Sequence, residues 1–389
     1  MESEEFRDSP LCPLFTLCSI YAGDAISSDD LSGEKAIPVY GSNGIRSYAD
    51  KANHLENQVL VGRQGSVGTV HFAEAPFWAA EHALIVEPRT PRVSKSWLKY
   101  VLEAMDLSRL SRAVAQPGIN ATSVSFQRVP HIPFEQQKVI GDYLDRETAE
   151  IDAAVADLDR YVELLEKRRR ALVHETLVLR KGPGSGLSIS DSQRGRVGFV
   201  TRLLRRGISP SYVDEGVPVI NQKCVRTGGF LDIASCRFHD SGARNIGLDL
   251  TIQPGDTLIN STGTGTLGRS CTVGEISVPT TWDSHVTLVR PNTDIADPGY
   301  LGWTILSQES KLVEFSTGST NQIELSRDTI FNLDFVSIPL NLQKEVSAYL
   351  NKETAEIDAL IAESTTLRDL LLKRRSVLIT EVVTGRKQV

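Results

Sequence analysis

The stretch Ile132–Ala153, IPFEQQKVIGDYLDRETAEIDA, decides the fold, because it returns at Ile338–Ala359 as IPLNLQKEVSAYLNKETAEIDA. Carried on to Lys181 and Lys387, the two copies share 23 identities over 50 positions at a fixed offset of 206, without a gap. Such a period, about half the chain, marks an internal duplication. Both copies hold ETAEIDA (Glu147–Ala153 and Glu353–Ala359), and Leu164-Leu165 matches Leu370-Leu371. The run KRR stands at Lys167–Arg169 and again at Lys373–Arg375. Of the 29 glycines, 27 lie outside Ile132–Lys181 and Ile338–Val389, and the only prolines inside are Pro133 and Pro339, each the second residue. Both stretches therefore predict long helices.

In the first copy Ile151, Val155, Leu158, Val162, Leu165 and Leu172 step by fours and threes, with Arg169 alone interrupting the series. That is an a/d seam. The second copy keeps Ile357, Ile361, Leu371 and Leu378 in register but puts Ser364 and Arg368 where Leu158 and Val162 stood, so Leu367 and Leu370 are expected to supply apolar surface. Two matching helices can bury these stripes on each other. An antiparallel coiled coil is expected, since the chain must pass through a globular segment before entering the second helix. Packing of each helix on its own preceding domain is the alternative. At 1.5 Å per residue, Ile151–Arg180 spans about 45 Å.

The rest of the 389 residues divides accordingly: a globular segment 1–131, the helical block 132–181, a globular segment 182–337 and the helical block 338–389. The globular segments are rich in glycine, β-branched residues and short apolar runs, and read as mixed domains with many strands. They echo each other faintly. VLVGRQGSVG (Val59–Gly68) resembles TLINSTGTGTLG (Thr257–Gly268), and HALIVEP at His82 parallels HVTLVRP at His285, each just after a tryptophan, Trp78 and Trp282. The fold class is therefore α+β: two mixed α/β domains separated by two long helices, with pseudo-twofold character from the duplication.

Composition narrows the function. Hydrophobic residues make up 40% and charged residues 23%, which excludes a disordered chain or a collagen. No apolar run reaches the roughly 18 residues of a membrane helix, and the opening MESEEFRDSP is acidic where a signal peptide is basic. A cytoplasmic protein with no membrane role is expected. The five cysteines (Cys12, Cys18, Cys224, Cys236, Cys271) form no C-x-x-C, so neither a disulfide framework nor a zinc ribbon is indicated. Cys236 and His239 lack the second close pair that a metal site requires.

Gly263–Gly268 matches G-x-G-x-x-G, which binds a dinucleotide only when a helix N-terminus comes directly after it. The next residues are RSCTVGEISVP, whose β-branched side chains and proline predict a strand and turn. No phosphate-binding G-x-x-x-x-G-K-[ST], G-x-S-x-G or H-E-x-x-H motif occurs, nor the asparagine-proline-proline-aromatic tetrad of amino-methyltransferases. The chain is expected to catalyse nothing alone, to bind no cofactor and to hold no metal.

The formal charge of −7 argues against nucleic acid, and the four segments carry −3, −2, −3 and +1 in turn. Local clusters qualify this. Arg194, Arg196, Arg202, Arg205 and Arg206 fall together with no acid among them, and Arg89, Arg92, Lys95, Lys99, Arg109 and Arg112 face only Glu103 and Asp106. Such one-sided runs suit either a solvated face or the neutralisation of a few phosphates.

Two unlike globular domains, each followed by I-P-x-x-x-Q-K … Y-L … E-T-A-E-I-D-A … L-L … K-R-R, resemble the specificity (S) subunit of type I restriction-modification systems. The resemblance covers essentially the whole chain. It is most specific at Ile132–Arg170 and Ile338–Arg375, with support from YGSNGI (Tyr40–Ile45) and GVPVINQKCVRTG (Gly216–Gly228). It implies a non-catalytic subunit with two target-recognition domains and an antiparallel coiled coil that docks two modification (methyltransferase) subunits. A restriction (endonuclease and translocase) subunit then joins them. S-adenosylmethionine, ATP and Mg would belong to those partners. Readers of different sequence on one spacer imply an asymmetric, bipartite site in double-stranded DNA.

Base edges are read by paired donors and acceptors, arginine on guanine and asparagine or glutamine on adenine. Glycine-flanked polar loops offer Asn43, Arg46, Arg63 and Gln64 in the first domain, and Asn221, Gln222, Lys223, Arg226 and Arg269 in the second. A plain loop role fits each of these too. Asn120 and Ser319–Gln322, just ahead of the helical blocks, are weaker candidates. A coiled-coil adaptor that binds only protein is the competing function.

Overall fold

A computed structural model describes residues 10–27, 30–31, 37–111, 118–178, 194–240, 242, 247–263, 265–315 and 324–389. The chain forms two compact units, residues 1–161 with 364–389, and residues 162–363.

The first unit opens with strands β1 (Leu11–Pro13), β2 (Cys18–Ala22), β3 (Ile37–Gly41), β4 (Gly44–Ala49), β5 (Gln58–Gly62), β6 (Val70–Ala73), β7 (Trp78–Ala79) and β8 (Ala83–Pro88). Helices α1 (Lys95–Ala104) and α2 (Ala121–Ser125) come next, then β9 (Arg128–Pro130) and the long helix α3 (Phe134–Leu177). The second unit holds β10 (Arg194–Arg196), β11 (Thr201–Arg206), β12 (Tyr212–Val213), β13 (Val217–Ile220), β14 (Arg237–His239), β15 (Thr257–Asn260), β16 (Ser270–Thr272), β17 (Thr281–Trp282) and β18 (Val286–Pro291). It continues with α4 (Pro298–Leu306), α5 (Glu309–Phe315), α6 (Arg327–Phe331), β19 (Asp334–Val336) and the long helix α7 (Leu340–Val383). Each long helix contributes to both units, α3 changing over after Tyr161 and α7 after Glu363.

The expected α+β fold, with two sheet-rich domains and two long helices, is what the structure holds. The faint echo between the globular segments proves to be one topology used twice. Sheet order β2-β8-β5-β6 in the first unit is repeated as β11-β18-β15-β16 in the second. The smaller sheet β4-β3-β7 recurs as β14-β13-β17, extended by β12, and the β3–β7 and β13–β17 pairs are both parallel. The pair β1–β9 recurs as β10–β19. The central strands β5 and β15 are buried throughout, so they read as continuous apolar runs rather than alternating ones.

The helices begin where Pro133 and Pro339 predict, and the glutamine of the repeated I-P-x-x-x-Q motif explains why the motif recurs. Buried Gln137 accepts a bond from the Ser94 N–H at 2.9 Å, and buried Gln343 accepts one from the Asp297 N–H at 2.9 Å. Ser94 and Asp297 are the N-caps of α1 and α4, so each long helix is stitched to the same point of its own domain. Further along, Asp145 accepts from the Tyr100 hydroxyl at 2.8 Å, and its repeat partner Asn351 accepts from the Trp303 indole N–H at 2.8 Å.

The long helices pair antiparallel within each unit. In the first, Ile140, Leu144 and Ile151 of α3 share a core with Leu378, Ile379, Val382 and Val383 of α7. Arg375 pairs with Asp152 at 2.8 Å, and seven residues on along α3 Asp159 meets Arg368, seven back along α7, at 3.3 Å. In the second unit Val173 and Leu177 of α3 pack with Val346 and Leu350 of α7. There Arg169, the residue that interrupts the apolar series, forms a two-pronged pair with Asp358 at 2.8 and 3.3 Å. Arg375–Asp152 and Arg169–Asp358 are the same pair under the 206-residue repeat. The helices also pack on their own domains, so the two packing alternatives are realised together.

Of the seam residues, Ile151, Leu165, Ile357 and Leu378 are buried, and Val155, Leu158, Val162, Leu172, Ile361 and Leu371 are half-buried. Leu367, expected to widen the second seam, is instead 49% exposed. Ser364 is buried and Arg368 is held by Asp159, so the polar residues keep the seam positions and Leu367 turns outward.

Candidate nucleic-acid interface

In the first unit the β3–β4 turn and the loop after β5 face each other across a cavity of about 520 Å³. Asn43, Arg46, Gln64 and His82 line it, together with Gly41 and Gly65. Three of the four residues singled out in this domain thus come together, and Arg63 stands next to Gln64, its guanidinium donating to the Glu81 carbonyl at 3.3 Å. Ser42 fixes the two walls: its hydroxyl donates to the His82 carbonyl at 2.6 Å and accepts from the Gln64 N–H at 3.1 Å. Glu81 lies 3.9 Å from the Arg46 guanidinium and 3.4 Å from the His82 ring. Asn43 and Gln64 are exposed, with no side-chain hydrogen bond among the described residues. Behind the turn His71 is held below the ordinary imidazole range by burial.

The second unit uses its candidate residues differently. Asn221 is buried, donating to the Ser235 carbonyl at 3.4 Å and accepting from the Lys223 N–H at 2.8 Å. The Gln222 amide donates to the Thr262 carbonyl at 2.5 Å and to its hydroxyl at 2.7 Å. Both side chains are spent on holding the loop. Arg226 is paired with Asp232 at 2.8 Å, and Arg269 donates to the Gly265 carbonyl at 2.8 Å. Lys223 is exposed and makes no ion pair among the described residues.

The basic run at Arg194–Arg206 looks acid-free only along the sequence. Folding brings Asp334 to Arg196 and Asp249 to Arg205, at 3.3 and 3.2 Å, and Glu324 to Arg206. Arg194 and Arg202 are exposed. In the first domain Lys95 is likewise within 3.6 Å of Glu56, and Arg89 donates to the Phe15 carbonyl at 2.8 Å. Asn120 caps α2, accepting from the Ser123 N–H at 2.7 Å. Arg112 and Ser319–Gln322 lie outside the described residues.

After Gly268 comes strand β16, and no helix N-terminus stands there. Among the described residues no group of three or more His, Cys, Asp or Glu is placed for a metal, and no helix is long and apolar enough to cross a membrane. Sequence reasoning missed Ser42 and His82 as wall residues. The signal for the last was present, since His82 and His285 begin the matching runs HALIVEP and HVTLVRP.

Residues 14–156 match the family model of the Type I restriction modification DNA specificity domain. Over 130 residues, 32% of this chain, the sequence is 32% identical to the type I restriction enzyme EcoprrI specificity subunit of Escherichia coli. The match spans 32% of that relative's length. The type I restriction-modification S subunit from M. genitalium has a similar fold, with TM-score 0.50, 15% identity, and 96% of this chain and 97% of that one covered. A chain solved in work on complex assembly and conformational transition of the type I R-M system aligns with TM-score 0.66, 12% identity and the same two coverages, 96% and 97%. The sequence match is thus to a type I restriction modification DNA specificity domain over residues 14–156, and the fold of the solved relatives extends over nearly the whole chain.

Proposed function

We propose that the chain is the DNA-specificity subunit of a type I restriction-modification complex: it reads an asymmetric, bipartite site in double-stranded DNA and carries no catalytic group of its own. One observation carries this reading. The two units repeat a single topology and a single loop frame, yet present different side chains at the same place. An adaptor that binds only protein has no use for a groove in which Asn43, Gln64 and Arg46 converge, whereas these are the side chains that pair with adenine and guanine edges.

Partners are implied by the same duplication. Leu164 is 55% exposed and its repeat partner Leu370 is 58% exposed, so the same repeat position is apolar and exposed on both helices. That suits two copies of one partner, the modification subunit, with a restriction subunit joining the assembly. S-adenosylmethionine, ATP and Mg act on those subunits, and the complex works in the cytoplasm. The test is methylome sequencing of a host that carries this chain with its cognate modification subunit. A split, asymmetric methylated site is expected, and exchanging residues 1–131 for another specificity domain should change one half of it. Methylation indifferent to that exchange would return the chain to the adaptor reading.

A further inference from the structure

We infer that one equivalent loop position in each unit, Gln64 in the first and Thr262 in the second, carries discrimination between the two halves of the target. The inference rests on the specificity-subunit reading and names the residues within it that choose the base.

The two loops hang on the same backbone bonds. Gly62 N–H donates to the Thr69 carbonyl and Gly68 N–H to the Gly62 carbonyl, both at 2.8 Å. In the second unit Asn260 N–H donates to the Arg269 carbonyl at 2.8 Å and Gly268 N–H to the Asn260 carbonyl at 2.9 Å. The residue after each anchor is pinned alike, Arg63 N–H on the His82 carbonyl and Ser261 N–H on the His285 carbonyl, both at 2.9 Å. On the other side the Arg63 carbonyl accepts from Ile119 N–H at 3.0 Å, and the Ser261 carbonyl from Leu325 N–H at 2.8 Å. Gln64 bridges to Gly118 where Thr262 bridges to Glu324. Gly62 therefore corresponds to Asn260, Arg63 to Ser261, Gln64 to Thr262 and Gly68 to Gly268. Gly68 and Gly268 close the loops at φ 81° and 80°.

Within this shared frame the loops differ at Arg63, half-buried where Ser261 is fully buried, at Gln64 and in length. Gln64 presents an exposed amide, a donor and an acceptor side by side, the pair that matches adenine. Its counterpart Thr262 has no such freedom, because its hydroxyl accepts from Gln222 at 2.7 Å and lies 2.8 Å from His285 Nδ1. Between the anchors the second loop is longer, Ser261–Leu267 against Arg63–Val67. Half-site identity is thus set by which groups a common frame exposes, rather than by two unrelated surfaces.

The experiment uses the full chain with its cognate modification subunit, methylating a DNA library randomised over both half-sites. With Gln64→Ala, preference at one base pair of one half-site is expected to fall roughly 10- to 100-fold, the other half-site staying as it was. Gln64→Glu, which replaces the donor by an acceptor, should move that position toward cytosine. Replacing Ser261–Leu267 by the five residues of Arg63–Val67 should make the second half-site resemble the first. Wild-type preference at every position in the two Gln64 variants would overturn the assignment, and because Gln64 is exposed neither variant depends on the loop exchange folding. If the wild-type chain directs no site-specific methylation at all, the specificity-subunit reading falls and the loop assignment falls with it.

Discussion

The two units share their anchors and differ in their grooves. In the first, Asn43 and Gln64 stand exposed over an open cavity, while in the second Asn221 and Gln222 fold back to hold the loop they sit on. Beneath that difference Gln137 and Gln343 accept the same N-cap bond, and Asp145 and Asn351 each accept from an aromatic side chain at the matching helix position. The lesson is that duplication has kept what fixes backbone position and released what faces outward. Where a buried contact does change, it changes in a compensated way. Gly141 of α3 lies against Ser96 of α1, whereas in the second unit the small residue has moved to the other side, Gly299 of α4 against Ser347 of α7.

The largest expected effect tests the anchors. Arg169 is only 12% exposed, and its guanidinium also lies 5.4 Å from the Phe230 ring and 5.7 Å from that of Trp303. Arg169→Ala leaves Asp358 unpaired in a half-buried site and is expected to cost about 3–5 kcal/mol in urea unfolding. Arg226, whose pair with Asp232 lies at the surface, is the control: Arg226→Ala should cost about 0–1 kcal/mol. Equal losses for the two would break the division between anchor and surface.

A smaller effect sharpens the compensated swap. A Cβ at Gly299 would come within 2.2 Å of the Ser347 hydroxyl. Gly299→Ser is therefore expected to destabilise by about 1–3 kcal/mol. Adding Ser347→Gly recreates the arrangement of the first unit and should return most of the loss in a double-mutant cycle. Additive losses from the two changes would show that the helix pairs in the two units do not pack alike.

How much of this was legible depended on the range of the interaction. The helices and their antiparallel pairing were readable, because a 206-residue repeat and a step of threes and fours are properties of the sequence itself. That Arg169 serves the seam rather than interrupts it was not, since its partner Asp358 lies 189 residues away. The same limit applies to the Arg194–Arg206 run. Its apparent excess of charge shrinks because Asp334, Asp249 and Glu324 arrive from distant segments to pair three of its five arginines. Around the groove, residue type and flanking glycine picked out Asn43, Arg46 and Gln64, which the fold gathers on one cavity. The same signal picked out Asn221 and Gln222, whose side chains turn inward to hold their loop, a geometry that only the fold decides.

The smallest effect separates the units by pH. In the first, His54 is stacked on Phe77 at 5.0 Å, and burial holds both it and His71 below the ordinary imidazole range. An unfolded histidine takes up its proton near pH 6.5, while these two resist in the folded state. The folded unit thus binds fewer protons, so its stability is full above about pH 6.5 and is lost as pH falls through the lower folded values. In the second unit burial raises the carboxyls of Asp283 and Glu309 instead. A raised carboxyl contributes stability at low pH that is lost as pH rises through its folded value, so mild acid does not penalise that unit. Between pH 7.5 and 5.5, hydrogen-exchange protection of β5, corrected for the intrinsic rate, should therefore fall relative to that of β15. His71→Gln should flatten the difference by removing one of the two protonation sites, and a difference unchanged in that variant would show that His71 plays no part in it.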